Sequence, residues 1–260
     1  MTQESPAVIY EKKGHIAYIT LNRPERMNAL GRPVSRGIRD SVWDARNDDN
    51  VRVIIITGAG DRAFCAGGDL KEMAEMSRAG QAPEPSVPEV NNFELIMETW
   101  KPTIAAINGV ALGGGCEMSL ACDIRLAADH ARIGLMEAKR GLGANFGTVM
   151  LSRIIPKGMA LEALFTGEPF SAQEAYRVGL VNKVVPLSDL MPAAERLAEA
   201  ILECAPLSVR RMKEVVYKSD GLPPAAAIRL AVGPDVYTSE DRIEGARAFA
   251  EKRKPQWQGR

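Results

Sequence analysis

Two glutamates and two glycine-rich turns hold the chemistry this chain can do. Glu117 follows Gly113-Gly114-Gly115-Cys116, and Glu137 stands in the largely apolar run Ile133-Gly-Leu-Met-Glu-Ala-Lys139. An apolar setting disfavours the ionised form of a carboxyl group, and two carboxyls in unlike settings can divide the roles of acid and base. Each glutamate also has a plainer reading. Glu117 falls in the first turn of a predicted helix, where an acidic residue complements the dipole. Glu137 has Lys139 and Arg140 within ion-pairing reach along the chain.

The first glycine turn, Ala66-Gly67-Gly68, stands just ahead of Asp69-Leu-Lys-Glu72. That spacing matches a capping box, in which an acidic cap and an acidic third residue satisfy free N–H groups at a helix start. The favoured role of Asp69, read from its own neighbours, is therefore a helix cap. The second turn, Gly113 to Gly115, leads from a strand into a helix in the same way. Residues without bulky side chains let a ligand approach the backbone, and unpaired N–H groups at a helix start point outward. Two such turns converging on one oxygen have the composition of an oxyanion hole. Either turn alone reads equally well as a plain turn. The spacing Gly58-x-Gly60-x-x-Ala63 matches a dinucleotide fingerprint only superficially, since two more glycines follow and position 78 is arginine where an acidic residue is needed. No Gly-Lys-Ser/Thr ending is present, which excludes a phosphate-binding loop of that type.

These residues need a scaffold, and the chain supplies alternating strands and helices. Ile16–Leu21, Val51–Ile56, Thr103–Ile107 and Ile124–Ala127 read as strands, with helices over Pro33–Asn47 and Glu117–Ala121. Continuous β-branched runs such as Val53-Ile-Ile-Ile56 suit strands covered on both faces, and the alternation predicts an α/β core. After Ile154 helices predominate. Ser171-Ala-Gln-Glu174 forms a second capping box, Leu180–Val185 reads as a strand, and Ser188 is positioned to cap a helix carrying Leu190, Ala194, Leu197 and Ile201 on one face. Further helices are expected at Val209–Lys218 and Ile243–Lys252, and the three prolines of Gly80–Asn92 suggest a surface loop.

Charge and composition narrow the partners. Thirty-three basic and 33 acidic residues give no net charge, so nothing favours a nucleic acid or an anionic membrane. No signal segment is legible at the start. The uncharged stretch Thr103–Cys116 is shorter than the ~18 residues of a membrane span. Four cysteines and two histidines make neither a disulfide scaffold nor a zinc site. The expectation is a cytoplasmic protein that binds no metal and no nucleic acid.

Beyond this residue-level reading, the chain resembles the crotonase (enoyl-CoA hydratase/isomerase) superfamily along nearly its whole length. The matching stretches include Ile19-Thr-Leu-Asn-Arg-Pro24 with Asn28-Ala-Leu30, Phe64-Cys-Ala-Gly-Gly-Asp-Leu70 and Lys101-Pro-Thr-Ile-Ala-Ala-Ile-Asn-Gly109. Gly113-Gly-Gly-Cys-Glu117, Glu137-Ala-Lys139, Gly179-Leu-Val-Asn182 and Ala248-Phe-Ala-Glu-Lys-Arg253 follow in the family's order. The resemblance implies a spiral of ββα repeats over residues 1–205 with its active site, then a helical oligomerisation region over 206–260. It implies a homotrimer or a dimer of trimers acting on an enoyl-CoA thioester, with CoA belonging to the substrate and no separate cofactor.

Ala66 and Gly114 match the positions whose N–H groups hold the thioester oxygen, and Glu117 and Glu137 match the two hydratase carboxylates. Met27 and Ala29 match a stretch along the CoA adenine. Gly67, Gly68 and Asp69 are expected to border the substrate. Phe249 and Lys252 match positions that reach a neighbouring subunit's CoA. The implied activity is water addition to a 2-enoyl-CoA. Carnitinyl-CoA dehydratase and double-bond isomerase are the alternatives within the superfamily. One departure stands out: Gly143-Ala-Asn-Phe-Gly-Thr148 replaces a longer glycine run of the hydratases, so that Asn145 and Phe146 are set to reshape the acyl pocket.

Overall fold

The computed structural model describes residues 5–79 and 91–260. Its strands are β1 (Val8–Lys13), β2 (Ile16–Leu21), β3 (Val53–Gly58), β4 (Ala63–Cys65), β5 (Thr103–Ile107), β6 (Val110–Leu112), β7 (Ile124–Ala128), β8 (Arg132–Gly134), β9 (Phe170–Ser171) and β10 (Lys183–Val185). The helices are α1 (Arg32–Asn47), α2 (Leu70–Arg78), α3 (Asn92–Met97), α4 (Gly114–Ala121), α5 (Asn145–Ile154) and α6 (Lys157–Thr166). They continue with α7 (Ala172–Arg177), α8 (Leu187–Leu202), α9 (Pro206–Lys218), α10 (Pro224–Ala227) and α11 (Glu240–Ala250).

Two sheets result, ordered β1-β2-β3-β5-β7-β10 and β4-β6-β8-β9. Apart from β1 and β9, which pair antiparallel, the ladders are parallel. Three successive units each place one strand in the large sheet, the next in the small sheet, and then a helix: β3-β4-α2, β5-β6-α4 and β7-β8-α5. This is the expected α/β spiral of ββα turns.

Period-two alternation divides the large sheet's side chains between two cores. Ile54, Ile56, Ala105 and Ile107 face α1, α4 and the small sheet, whereas Val53, Ile55, Ile104 and Ala106 face α8. Leu190 and Ala194 of α8 complete the second core, as their helical spacing foretold. Both faces of β3 are thus covered, which is why its sequence is β-branched almost throughout. A one-residue register slip would exchange the two sets of side chains.

Several local expectations are refined. Ser171 and Glu174 close their capping box at 3.2 and 2.8 Å. Ser188 does not cap α8, because Pro186 occupies the cap and Ser188 lies within the first turn. The strand expected over Leu180–Val185 is confined to Lys183–Val185, preceded by the buried Leu180 and Val181. Residues 80–90 of the expected surface loop lie outside the described residues. Its end, Asn91, caps α3 by accepting the Phe93 N–H at 2.9 Å.

Candidate active site

Each ββα unit turns from the small sheet into a helix at the same end of the molecule. The turn after β4 and the turn after β6 therefore lie side by side. The contact is close: a β-carbon at Gly67 would lie 2.8 Å from the Leu112 carbonyl and 3.4 Å from the Gly114 nitrogen. Gly67 and Gly113 have φ of 94° and 53°, values that favour glycine. Together they border a cleft of about 110 Å³ lined by Ala66, Gly67, Gly68, Leu70, Leu112, Gly113, Gly114, Met136, Glu137, Arg140 and Leu142.

The N–H groups facing this cleft differ from expectation on one side. Ala66 is not an available donor, since its N–H is committed to the Met27 carbonyl at 3.0 Å. The Gly68 N–H donates to no described residue. Gly68 is exposed, whereas Gly67 is buried against Leu112. The isolated bridge between Leu30 and Gly68 explains this difference, because the Leu30 N–H and carbonyl bond to Gly67 and Asp69 and leave the Gly68 amide free. Gly114, the first residue of α4, also donates to no described residue. The available pair is Gly68 and Gly114. The β-bridge was the missing signal, and sequence spacing does not reveal it.

One of the two glutamates borders this cleft, and the other lies on the helix behind it. Glu117, on α4, is 9% exposed, and its Oε1 accepts the Gly147 N–H at 2.8 Å. Gly147 lies in the first turn of α5, where N–H groups have no helical partner, so the carboxylate caps that helix from outside. Burial raises the Glu117 pKa above the ordinary carboxylate value; the Gly147 N–H opposes this and the charge of Glu137 adds to it. Glu137 opens a short 3₁₀ turn, Glu137–Arg140, and lines the cleft directly. Burial raises its pKa too, against the pull of nearby backbone amides and Arg140. Its Oε2 is buried without a partner among the described residues. The plain ion-pair reading with Lys139 fails, because Lys139 pairs with Glu168. Glu117 itself is not among the residues lining the cleft.

The remaining expected residues are distributed unevenly. Asp69 caps α2 by accepting the Lys71 and Glu72 N–H groups at 3.2 and 3.3 Å, and Arg23 and Arg26 lie 3.4 and 3.8 Å from its carboxylate. Buried and fully engaged, it does not border the cleft, which corrects its expected place beside substrate. The capping box stays half formed, since Glu72 accepts the Arg32 N–H instead. Met27 and the buried Ala29 belong to the loop stitched to the Ala66–Asp69 turn, but they do not line the cleft. Phe249 and Lys252, at the end of α11, lie outside it as well, and Phe249 is 88% exposed.

Two residues with structural leverage went unassigned in the sequence. Asn28, wholly buried at φ 54°, donates to the Ala59 and Ala63 carbonyls and accepts the Arg23 N–H. It fixes the loop that holds Ala66. Gly147 orients Glu117. Asparagine's tolerance of left-handed backbone was the available clue to the first.

Comparison with known proteins agrees with this architecture. Residues 11–260 match the family described as Enoyl-CoA hydratase/isomerase. (E)-Benzylidenesuccinyl-CoA hydratase of Thauera aromatica is 41% identical, with 97% of this chain and 99% of that protein covered. Short-chain-enoyl-CoA hydratase of Clostridium acetobutylicum is 38% identical, with 95% of each covered. The crystal structure of enoyl-CoA hydratase from Mycobacterium tuberculosis H37Rv superposes with a TM-score of 0.89 at 38% identity, covering 98% of this chain and all of that one.

Proposed function

The chain belongs to the enoyl-CoA hydratase/isomerase family, and from that premise we propose how it acts as an enoyl-CoA hydratase, a hydro-lyase that adds water across the 2,3 double bond of a 2-enoyl-CoA thioester. The observation that carries the proposal is a cleft that brings two free amides, Gly68 and Gly114, to the half-buried Glu137, with the buried Glu117 on the helix that Gly114 opens; burial raises the pKa of both carboxyls. The thioester oxygen accepts from both amides. As water adds to Cβ, negative charge builds on that oxygen, and each preorganised donor is worth ~10²–10³ in rate.

Glu117 acts as the base. The Gly147 N–H favours its ionised form, and it takes a proton from the water whose oxygen bonds to Cβ. Glu137 acts as the acid, its unpartnered Oε2 holding the proton delivered to Cα. The C=C π pair becomes the new Cα–H bond, and a proton passes from Glu117 to Glu137 through solvent to reset the pair. The ribbon of CoA runs along the Met27–Ala29 loop, and Phe249 and Lys252 meet the CoA of a neighbouring subunit.

A trimer, or a dimer of trimers, is part of the same proposal. Met212 and Val216 on α9 are 67% and 68% exposed beside an apolar groove of about 500 Å³, and Ile228 and Phe249 are exposed as well. A cytoplasmic setting belongs to the same proposal, in keeping with the buried thiols of Cys65, Cys116 and Cys122. Incubation with crotonyl-CoA tests the activity. Loss of enoyl absorbance with a product heavier by one water is expected; a 3-enoyl product, or free CoA, contradicts it.

A further inference from the structure

The cleft that holds Glu137 and the two free amides is small, about 110 Å³, against the roughly 300–1,000 Å³ of sites for drug-sized ligands. Leu30, Phe93 and Phe146 are not among its walls; they stand behind the oxyanion turn. A β-carbon on Gly114 would lie 2.8 Å from Leu30 Cδ1 and 3.7 Å from the ring tip of Phe93. The Phe93 ring packs on Phe146, with centroids 5.4 Å apart and planes tilted by 43°. Phe146 immediately precedes Gly147, the donor to Glu117. The aromatic pair therefore bridges the turn that takes the thioester oxygen and the turn that holds the Cβ carboxylate. Phe93 also walls a second cleft, about 260 Å³, in which Leu30, Ile38, Ile96 and Met118 face Ser35, Arg39, Asn91 and Asn92 at its rim.

An acyl chain held at its carbonyl by Gly68 and Gly114 must pass Glu117 at Cβ. Its next carbons run toward Gly147, and so toward Phe146 and Phe93. We propose that Phe93 and Phe146 form a partition that sets acyl length, restricting this enzyme to short acyl groups, and that Phe93, behind Gly114, separates the catalytic cleft from a partly apolar space able to take a longer chain. This rests on the acyl-CoA reading of the site above.

The test uses saturated, unreactive thioesters, so that it does not depend on turnover. Affinities of butyryl-CoA and octanoyl-CoA are measured by calorimetry for the wild-type chain, Phe93→Ala and Phe93→Leu. Crotonyl-CoA hydration is followed in parallel. The wild type is expected to bind butyryl-CoA at least ~10-fold more tightly than octanoyl-CoA, since even one methylene in an apolar pocket is worth ~10–200-fold. Phe93→Ala should abolish or invert that preference, and Phe93→Leu, which keeps an apolar side chain in the α3 packing, should move it part of the way. An octanoyl-to-butyryl ratio unchanged in both folded variants overturns the partition, whether or not hydration is seen. Absent hydration with a relaxed ratio overturns the proposed reaction and leaves the partition standing.

Discussion

Gly147→Ala is a small change with a calculable consequence. Alanine keeps the N–H that Glu117 accepts, so any loss comes from displacement rather than from a missing donor. The added carbon would lie 2.7 Å from both δ-carbons of Leu135 and 3.0 Å from Cγ of Glu117. Each distance is several tenths of an ångström inside normal carbon–carbon contact of ~3.5–4.0 Å. Leu135 is 2% exposed and has little room to turn, so α5 and the Glu117 side chain share the adjustment. Overpacking a filled core by a methyl group typically costs ~1–3 kcal/mol of stability. A misplacement near 1 Å at a reacting group costs ~10² in rate. The expected result is a variant that folds with a lowered Tm and hydrates crotonyl-CoA ~10²-fold more slowly at saturation. KM should change by less than ~3-fold, because the thioester oxygen is held by other turns. Full kcat in a folded variant would refute the claim that Gly147 positions a carboxylate used in the chemistry.

Gly114→Pro removes one free amide at the first position of α4 and also distorts the turn, since its β-carbon would lie 2.8 Å from Leu30; kcat for crotonyl-CoA should fall by at least ~10². Lys213→Ala removes the ammonium 2.9 Å from the Asp123 carboxylate, which keeps its hydrogen bonds from Thr103 and Tyr217, so chemical denaturation should reveal a loss below the ~3–5 kcal/mol of a fully orphaned buried charge. Glu117→Gln should melt higher than the wild type at neutral pH and match it at low pH. Burial raises the native pKa of Glu117 above its unfolded value, so native ionisation is the costly step. The wild type then loses stability relative to the glutamine variant as pH rises from about 4.5 through that raised pKa. Melting curves between pH 4 and 8 check the sign, and a gap that narrows with rising pH contradicts it.

The large sheet was legible because its residues repeat: Val53–Ile56 and Thr103–Ile107 announce buried strands, and capping pairs such as Ser171 with Glu174 mark helix starts. The small sheet was harder to read. β4, β6 and β8 are three residues each, too short for any period, and β1 is an edge strand whose side chains are mostly exposed. Within the site, the carboxylates and the Gly113–Gly115 turn stand out by residue type and spacing, and the family resemblance picks Gly114 from that turn. The choice between Ala66 and Gly68 does not follow from either, because it depends on a bridge to Leu30 from a segment nearly 40 residues away. Asp69 divides in the same way. Its capping role is local and readable, whereas its two arginine neighbours come from the Arg23–Arg26 turn and exclude it from the cleft.

Hydration of crotonyl-CoA by Glu117→Gln, by Glu137→Gln and by the double variant tests the two-carboxylate mechanism most directly. Glutamine keeps the shape and the Gly147 contact but exchanges no proton. Each single variant should lose most of its turnover, the double variant should lose little more than the weaker single, and affinity for butyryl-CoA should persist in all three. One single variant hydrating at a near-normal rate would contradict the account.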